Sequence, residues 1–199
     1  MTASILLIRH AAHSHLGSIL SGRTPGIALS ETGRTQADLL AGALANEPID
    51  CLQSSPVQRA CETAAAIAAR HPGLAVEPCT ALDELDFGDW SGRAFTELAG
   101  DARWSGWNTQ RSTARAPGGE SMAEAQERAW AHVQAMAAAR PGARIAMVSH
   151  CDVIRALVAR VLDLSLDHLL RFDIDPASVT RLAVGPWGAK LTRLNEVCQ

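Results

Sequence analysis

The stretch Ser4-Ile5-Leu6-Leu7-Ile8-Arg9-His10 decides the fold. A short continuous apolar run that ends abruptly in two polar groups reads as a strand buried on both faces, stopping where a loop begins at Arg9-His10. Arg144 to Ser149 has the same form and delivers His150 at its end. Helical and strand patterns alternate around these two runs. Gln36 to Asn46 reads as a helix, with Ala37, Leu40, Ala41 and Leu44 at i, i+3, i+4, i+7. Ile49 to Gln53 and Ala75 to Pro78 read as short strands. Between them Ser55 is expected to cap a helix, with Pro56 at its first position and Gln58 closing a capping box. That helix should bury Val57, Cys61, Ala64, Ala65 and Ala68. Ser121 with Glu124 forms a second capping box, opening a helix to about Arg140. After His150, a wide apolar face comprises Val153, Ile154, Leu157, Val158, Val161 and Leu162. Ser178 to Val184 and Ala189 to Leu194 should close the chain as two strands around Gly185-Pro186-Trp187-Gly188.

This alternation predicts an α/β protein, a three-layer α/β/α arrangement with a mostly parallel central sheet. One domain spanning 1–199 is expected, because a chain of 199 residues can bury one substantial core. From about 80 to 120 the periodicity weakens and Trp90, Trp104 and Trp107 cluster among Gly and polar residues. We read that segment as an excursion over the functional face.

Composition narrows the function classes. With 47% hydrophobic and 20% charged residues the chain is ordinary globular protein, not a disordered one. A formal net charge of -3 offers no footprint for nucleic acid. No apolar stretch approaches the ~20 residues that span a bilayer, and the N-terminal run lacks the form of a signal peptide. The 5 cysteines are scattered, odd in number and without a C-x-x-C pair, so neither a disulfide framework nor a structural zinc site is expected. A cytoplasmic protein without membrane partners fits these features, and a homodimer stays open.

In open parallel sheets, ligands bind beyond the carboxyl ends of the strands. Arg9-His10 and His150 lie at such ends, and Arg59 lies in the first turn of a helix leaving a third. Phosphoryl transfer to a histidine uses these residue types. The transferred group spreads charge over three oxygens and needs guanidinium forks, an attacking imidazole and a proton donor for the leaving oxygen.

Four blocks then become specific in company: Arg9-His10-Ala11, Ser54-Ser55-Pro56-x-x-Arg59-Ala60-x-Glu62-Thr63-Ala64, Leu82-x-Glu84-Leu85-x-Phe87-Gly88-x-Trp90-x-Gly92 and Ser149-His150-x-x-Val153-Ile154-Arg155. With Leu29-Ser30-x-x-Gly33-x-x-Gln36-Ala37, they resemble in order the histidine phosphatase (phosphoglycerate mutase-like) superfamily. The resemblance implies a phosphohistidine formed on His10 and hydrolysed by water. Arg9, Arg59 and a charged His150 would grip the non-bridging oxygens, and Glu84 would protonate the leaving alkoxide and then activate water. It implies no metal and no cofactor, and a small phosphorylated metabolite as substrate; nucleoside-derived, sugar, amino-acid and α-ribazole phosphates are not distinguished.

Three positions depart from the family pattern. Ala11 stands where Gly is usual, Leu16 where Asn is usual, and Cys151 where Gly is usual. Ser14 is a candidate replacement for the Asn contact, and the Cys151 backbone N–H a candidate phosphate donor. Gly22-Arg23-Thr24-Pro25-Gly26 should lie at the mouth, with Arg23 a candidate contact for an anionic substrate. Arg155 is expected to be structural, Glu62 an intrahelical partner of Arg59, and Trp104 and Trp107 either a lid wall or burial for the excursion. His10, His13 and His15 form an H-x-x-H-x-H run without an acid at matching spacing, a weak metal pattern. Arg111 and Arg115 read as loop arginines, so hydrolysis is expected over mutase transfer. Mutase-type transfer and a weakly catalytic phosphate-binding module remain as alternatives. His150-Cys151-x-x-x-Arg155 is too short for a cysteine-phosphatase loop, and too little chain follows Asp173 and Asp175 for an aspartate-nucleophile fold.

Overall fold

The computed structural model describes residues 1–197. Its centre is β1 (Ala3–Arg9), where Ile5 to Ile8 are fully buried. β4 (Arg144–Ser149) pairs with it in parallel, Ile5 opposite Ile145 and Arg9 opposite Ser149. β2 (Cys51–Ser54) and β3 (Val76–Pro78) extend the parallel part beyond β4. On the other side β5 (Val179–Gly185) and β6 (Gly188–Glu196) run antiparallel, giving the order β3-β2-β4-β1-β5-β6. The register of β1 with β4 puts Arg9 and Ser149 side by side, so His10 and His150 emerge together.

Period-two alternation sends the two faces of β1 into two separate cores. Leu6 and Ile8 pack with α1 (Glu31–Leu44) and α2 (Gln58–Ala68), while Ile5 and Leu7 pack with α5 (Met122–Ala139) and α6 (Cys151–Val161). The three-layer arrangement follows. The segment between β3 and α5 holds 3₁₀ turns at Thr80–Leu82 and Gly88–Trp90, then the short helices α3 (Phe95–Leu98) and α4 (Ala102–Thr109). Its own core is aromatic: Trp90 and Trp107 are fully buried, 6.1 Å apart edge to face, and Trp104 packs on Trp90 at 5.2 Å. The tryptophans therefore bury the excursion and do not wall the cleft.

Several local expectations are corrected. α1 begins at Glu31, earlier than Gln36, because the Ser30 hydroxyl accepts from the Gly33 N–H at 3.0 Å. No capping box opens α2: its N-cap is Val57, with no side-chain cap. Its buried stripe is Ala60, Thr63, Ala64 and Ile67 with Arg59, while Ala65 faces solvent. On α6, Leu162 falls past the end and is 44% exposed. The Ser121–Glu124 capping box of α5 is present in both directions.

Candidate active site

Sheet geometry brings the loop after β1 to the carboxyl edge, and three contacts freeze it there. Ala11 N–H donates to Thr63 Oγ1 at 3.0 Å, Ala12 N–H to Gln36 Oε1 at 3.0 Å, and Ser30 N–H to the Ala12 carbonyl at 3.0 Å. Gly33 permits the approach, since a Cβ there would sit 1.8 Å from the Ala12 oxygen. Ala11 itself is buried core without a left-handed backbone, so the missing glycine costs nothing.

His10 is 3% exposed. Its Nδ1 lies 2.8 Å from the Ala11 carbonyl, which assigns the proton to Nδ1 and leaves Nε2 as the ring's acceptor. Arg59, 1% exposed, donates through Nε to that Nε2 at 3.2 Å and through Nη2 to the Gly22 carbonyl at 2.8 Å and His150 Nδ1 at 3.1 Å. The His10 and His150 rings are 5.1 Å apart. Glu84 brings Oε2 to 3.6 Å from His150 Nδ1 and 3.8 Å from Arg59, while its Oε1 accepts from the Leu85 N–H at 2.9 Å. Arg9 anchors one nitrogen on the Ile174 carbonyl at 2.6 Å. Arg9 Nε and Arg59 Nη1 are buried without a partner. Two orphaned guanidinium donors beside one imidazole are a cradle for an oxyanion, because each buried donor lacks an acceptor that such an ion supplies.

Electrostatics sets the protonation states. Burial, then the Arg59 and Arg9 charges, holds His10 well below the ordinary imidazole range, so the ring is neutral. Burial, Arg59 and His10 likewise hold His150 neutral, in place of the charged imidazole expected. An anion held against Nδ1 would act in the opposite sense, favouring proton uptake there. Burial, with the Asp152 charge behind it, pushes Glu84 up to about 7, the condition for a general acid near neutrality.

Of the substrate contacts read from sequence, Gly22 and Cys151 line the cleft, and two others do not. Ser14 is exposed and outside it; the loop turns His13 inward, 8% exposed, its ring 5.3 Å from His10. Arg23 is committed, its Nε to the Glu84 carbonyl at 2.7 Å and its Nη2 to Glu120 at 2.8 Å, so it braces the acid's backbone. Cys151 keeps its thiol protonated, burial pushing it up to about 11. Glu62 bonds the Leu29 N–H and Gln58, not Arg59. Arg155 pairs with Asp173 as a structural residue. Cys51, Cys61, Cys79 and Cys151 are free, and Cys198 lies outside the described residues. Among the described residues no group of three His, Cys, Asp or Glu is arranged to hold a metal ion, the His10–His13–His15 run included.

Three positioning residues were missed. Ser55, read as a helix cap, lies 2.9 Å from His150 Nε2 and donates to Asp83 Oδ1 at 2.8 Å, fixing the imidazole's tautomer. Arg128 donates to the Ala81 and Glu84 carbonyls at 2.9 and 3.1 Å. Arg111 is buried and holds Asp152 at 3.1 Å beside the cleft. The H-bonding reach of Arg128 from helix to loop has no sequence signal, because nothing local marks its partner.

Fold and site together define an anion-binding cleft of buried arginines and histidines at the carboxyl ends of parallel strands, suited to a phosphate ester. The profile of the histidine phosphatase superfamily (branch 1) matches residues 5–197, and the chain belongs to that family. It is 29% identical over 98% of its length to phosphoserine phosphatase 1 of Hydrogenobacter thermophilus, covering 92% of that protein. It is 32% identical to the glucosyl-3-phosphoglycerate phosphatase of Mycobacterium tuberculosis over 80% of this chain and 75% of the relative. A bifunctional protein of Mycobacterium tuberculosis is 35% identical over 96% of this chain, which spans 52% of that relative's length. Among solved structures, a mycobacterial glucosyl-3-phosphoglycerate phosphatase with VO3 superposes with TM-score 0.85 at 30% identity, over 97% of this chain and 98% of that one. The chain is accordingly a phosphomonoester hydrolase of the histidine phosphatase family.

Proposed function

We propose that the protein hydrolyses a small phosphorylated metabolite through a phosphohistidine on His10, with no metal or cofactor. The observation that supports this most is the convergence of the His10 Nε2, Arg59, His150 and Glu84 polar atoms on one cleft. In the first step the Nε2 lone pair bonds to phosphorus and the ester P–O bond breaks. The Glu84 proton passes to the leaving alkoxide, while the Ala11 carbonyl accepts from Nδ1–H and steadies the charge arriving on the ring. In the second step the Glu84 carboxylate takes a proton from water, the P–O bond to that water forms, and P–N breaks to release orthophosphate. Arg9, Arg59 and His150 hold the three non-bridging oxygens throughout. The relatives are named as phosphatases and one solved neighbour is a complex with VO3, which supports an oxyanion as the group handled.

Hydrolysis is favoured over mutase transfer because the arginines that might hold a second anion are already paired, Arg111 with Asp152 and Arg115 with Glu124. The test is turnover of para-nitrophenyl phosphate without added metal, together with trapping of an acid-labile, base-stable phosphoenzyme. His10→Ala should lower kcat by about 10⁵ and abolish the trapped species. Full turnover in that variant, or a trapped species on another residue, overturns the reading.

A further inference from the structure

The mouth of the cleft is built differently from its floor, and the contrast bears on which alcohol leaves. The cleft is small, about 110 Å³. Its floor carries Arg9, Arg59 and His10. Around it lie Leu16, Ile19, Leu20, Phe87 and Phe95, with Glu84 and the Arg111-paired Asp152 as the acids of the lining. Phe87 and Leu20 are nearly buried while Leu16 is 42% exposed, so the apolar lining extends from the interior out to solvent. Among the described lining residues the cations are Arg9 and Arg59 alone, and both belong to the phosphate end.

Neighbouring arginines are spoken for. Arg23 is held by Glu120 and the Glu84 carbonyl, Arg111 by Asp152 and Asn108, and Arg93 by Glu97 and Asp101. His13 reaches the cleft as a neutral ring, burial and the Arg59 charge taking it down to about 4. The neutral hydrogen-bonding groups left to the mouth are that ring and the Ser21 hydroxyl, which is buried without a partner. A carboxylate or second phosphate on the leaving group would enter this mouth without a free counter-ion and against apolar walls. Anions pay a large desolvation cost under those conditions.

Building on the phosphohistidine reading of the same site, we propose that the enzyme is selective for monophosphates of partly apolar alcohols that carry no second anionic group. Uncharged aromatic or alkyl alcohols are the class that fits, and an ammonium group meets no free cation beside the Arg111-paired Asp152. Carboxylate-bearing esters are disfavoured, which would separate this chain from relatives named for phosphoserine and glucosyl-3-phosphoglycerate.

Matched pairs of esters differing by one group test this. Phenyl phosphate should exceed 4-carboxyphenyl phosphate in kcat/KM by about tenfold or more, and phosphoethanolamine should exceed phosphoserine by a similar factor. Benzyl phosphate should show a lower KM than ethyl phosphate. Leu16→Arg, at a partly exposed position that tolerates a long side chain, should shift the 4-carboxyphenyl to phenyl ratio upward by about threefold or more, by supplying the missing cation. Equal or faster turnover of the carboxylate partners, no benefit from the aromatic ring, or an unmoved ratio in Leu16→Arg overturns the selectivity while leaving hydrolysis standing. Wild-type protein that turns over none of these esters overturns both readings together.

Discussion

The two ends of the parallel strands make an instructive pair. At the amino end, Met1, Trp130, Gln134, Pro141, Pro186 and Gly188 surround a cavity of about 510 Å³, larger than the cleft of about 110 Å³ at the carboxyl end. The larger space has no titratable side chain among its lining residues. The smaller one concentrates buried arginines, histidines and an acid, with donors left unpaired. Volume alone therefore says little about chemistry. What marks the site is polar groups whose burial is left uncompensated, a stability cost that only a ligand offsets. Backbone directionality adds to the asymmetry: β1, β4 and β2 all release their chains at the carboxyl end, where α2 and α6 begin.

The sharpest way to probe this asymmetry is to remove charge at the carboxyl end. Arg59→Met should lower kcat/KM by about 10³, since it deletes the donors shared by the cleft. The same change should raise the thermal midpoint by a few degrees, because an apolar chain of similar length replaces a buried, partly unsatisfied guanidinium. Loss of both activity and stability would show that Arg59 is part of the scaffold, and the contrast between the ends would weaken.

Next in size is Glu84→Gln, which should slow esters with poor leaving groups by about 10² and 2,4-dinitrophenyl phosphate much less, as only the former need the proton. For wild type the acid must carry that proton. With Glu84 pushed up to about 7, kcat/KM should fall as pH rises through about 7. The imidazole must be unprotonated, so the acid limb should lie below the ordinary histidine range. The Glu84→Gln profile should lose its basic limb, and a limb that stays would assign it elsewhere.

Ser55→Ala should cost about tenfold in kcat/KM, through a His150 ring no longer held from behind. The mildest kinetic effect belongs at the opposite end. Trp130→Ala should destabilise the fold by about 3 kcal/mol, as loss of a largely buried indole does, yet leave kcat of the folded fraction within about twofold. A larger kinetic change there would mean that the two ends communicate.

Much of this arrangement is legible in the sequence because it is local. The apolar runs before His10 and His150 are strands in place, and the Ser121–Glu124 box opens α5 as read. Four short blocks sufficed to bring His10, Arg59, Glu84 and His150 together, since strand ends and helix starts of a parallel sheet meet on one side. What sequence hid is which partner a polar side chain chooses. Ser55 next to Pro56 has the form of a cap, yet its hydroxyl serves His150 and Asp83. His13 and Ser14 are neighbours, and only the turn of the loop decides which faces inward. Arg23 has the look of a free loop cation, but Glu120 and the Glu84 carbonyl claim it across long stretches of chain.

The Glu84 carbonyl is gripped by Arg23 from the mouth loop and by Arg128 from α5, while Glu120 joins both arginines and receives the Asp86 N–H. Glu84 thus rides on a bolted plate, fastened ahead of the helices that follow it. Replacements at Phe95, which lines the cleft at the start of α3, would leave these clamps untouched, so under the proposed mechanism the range of admitted alcohols could widen by changing the doorway alone.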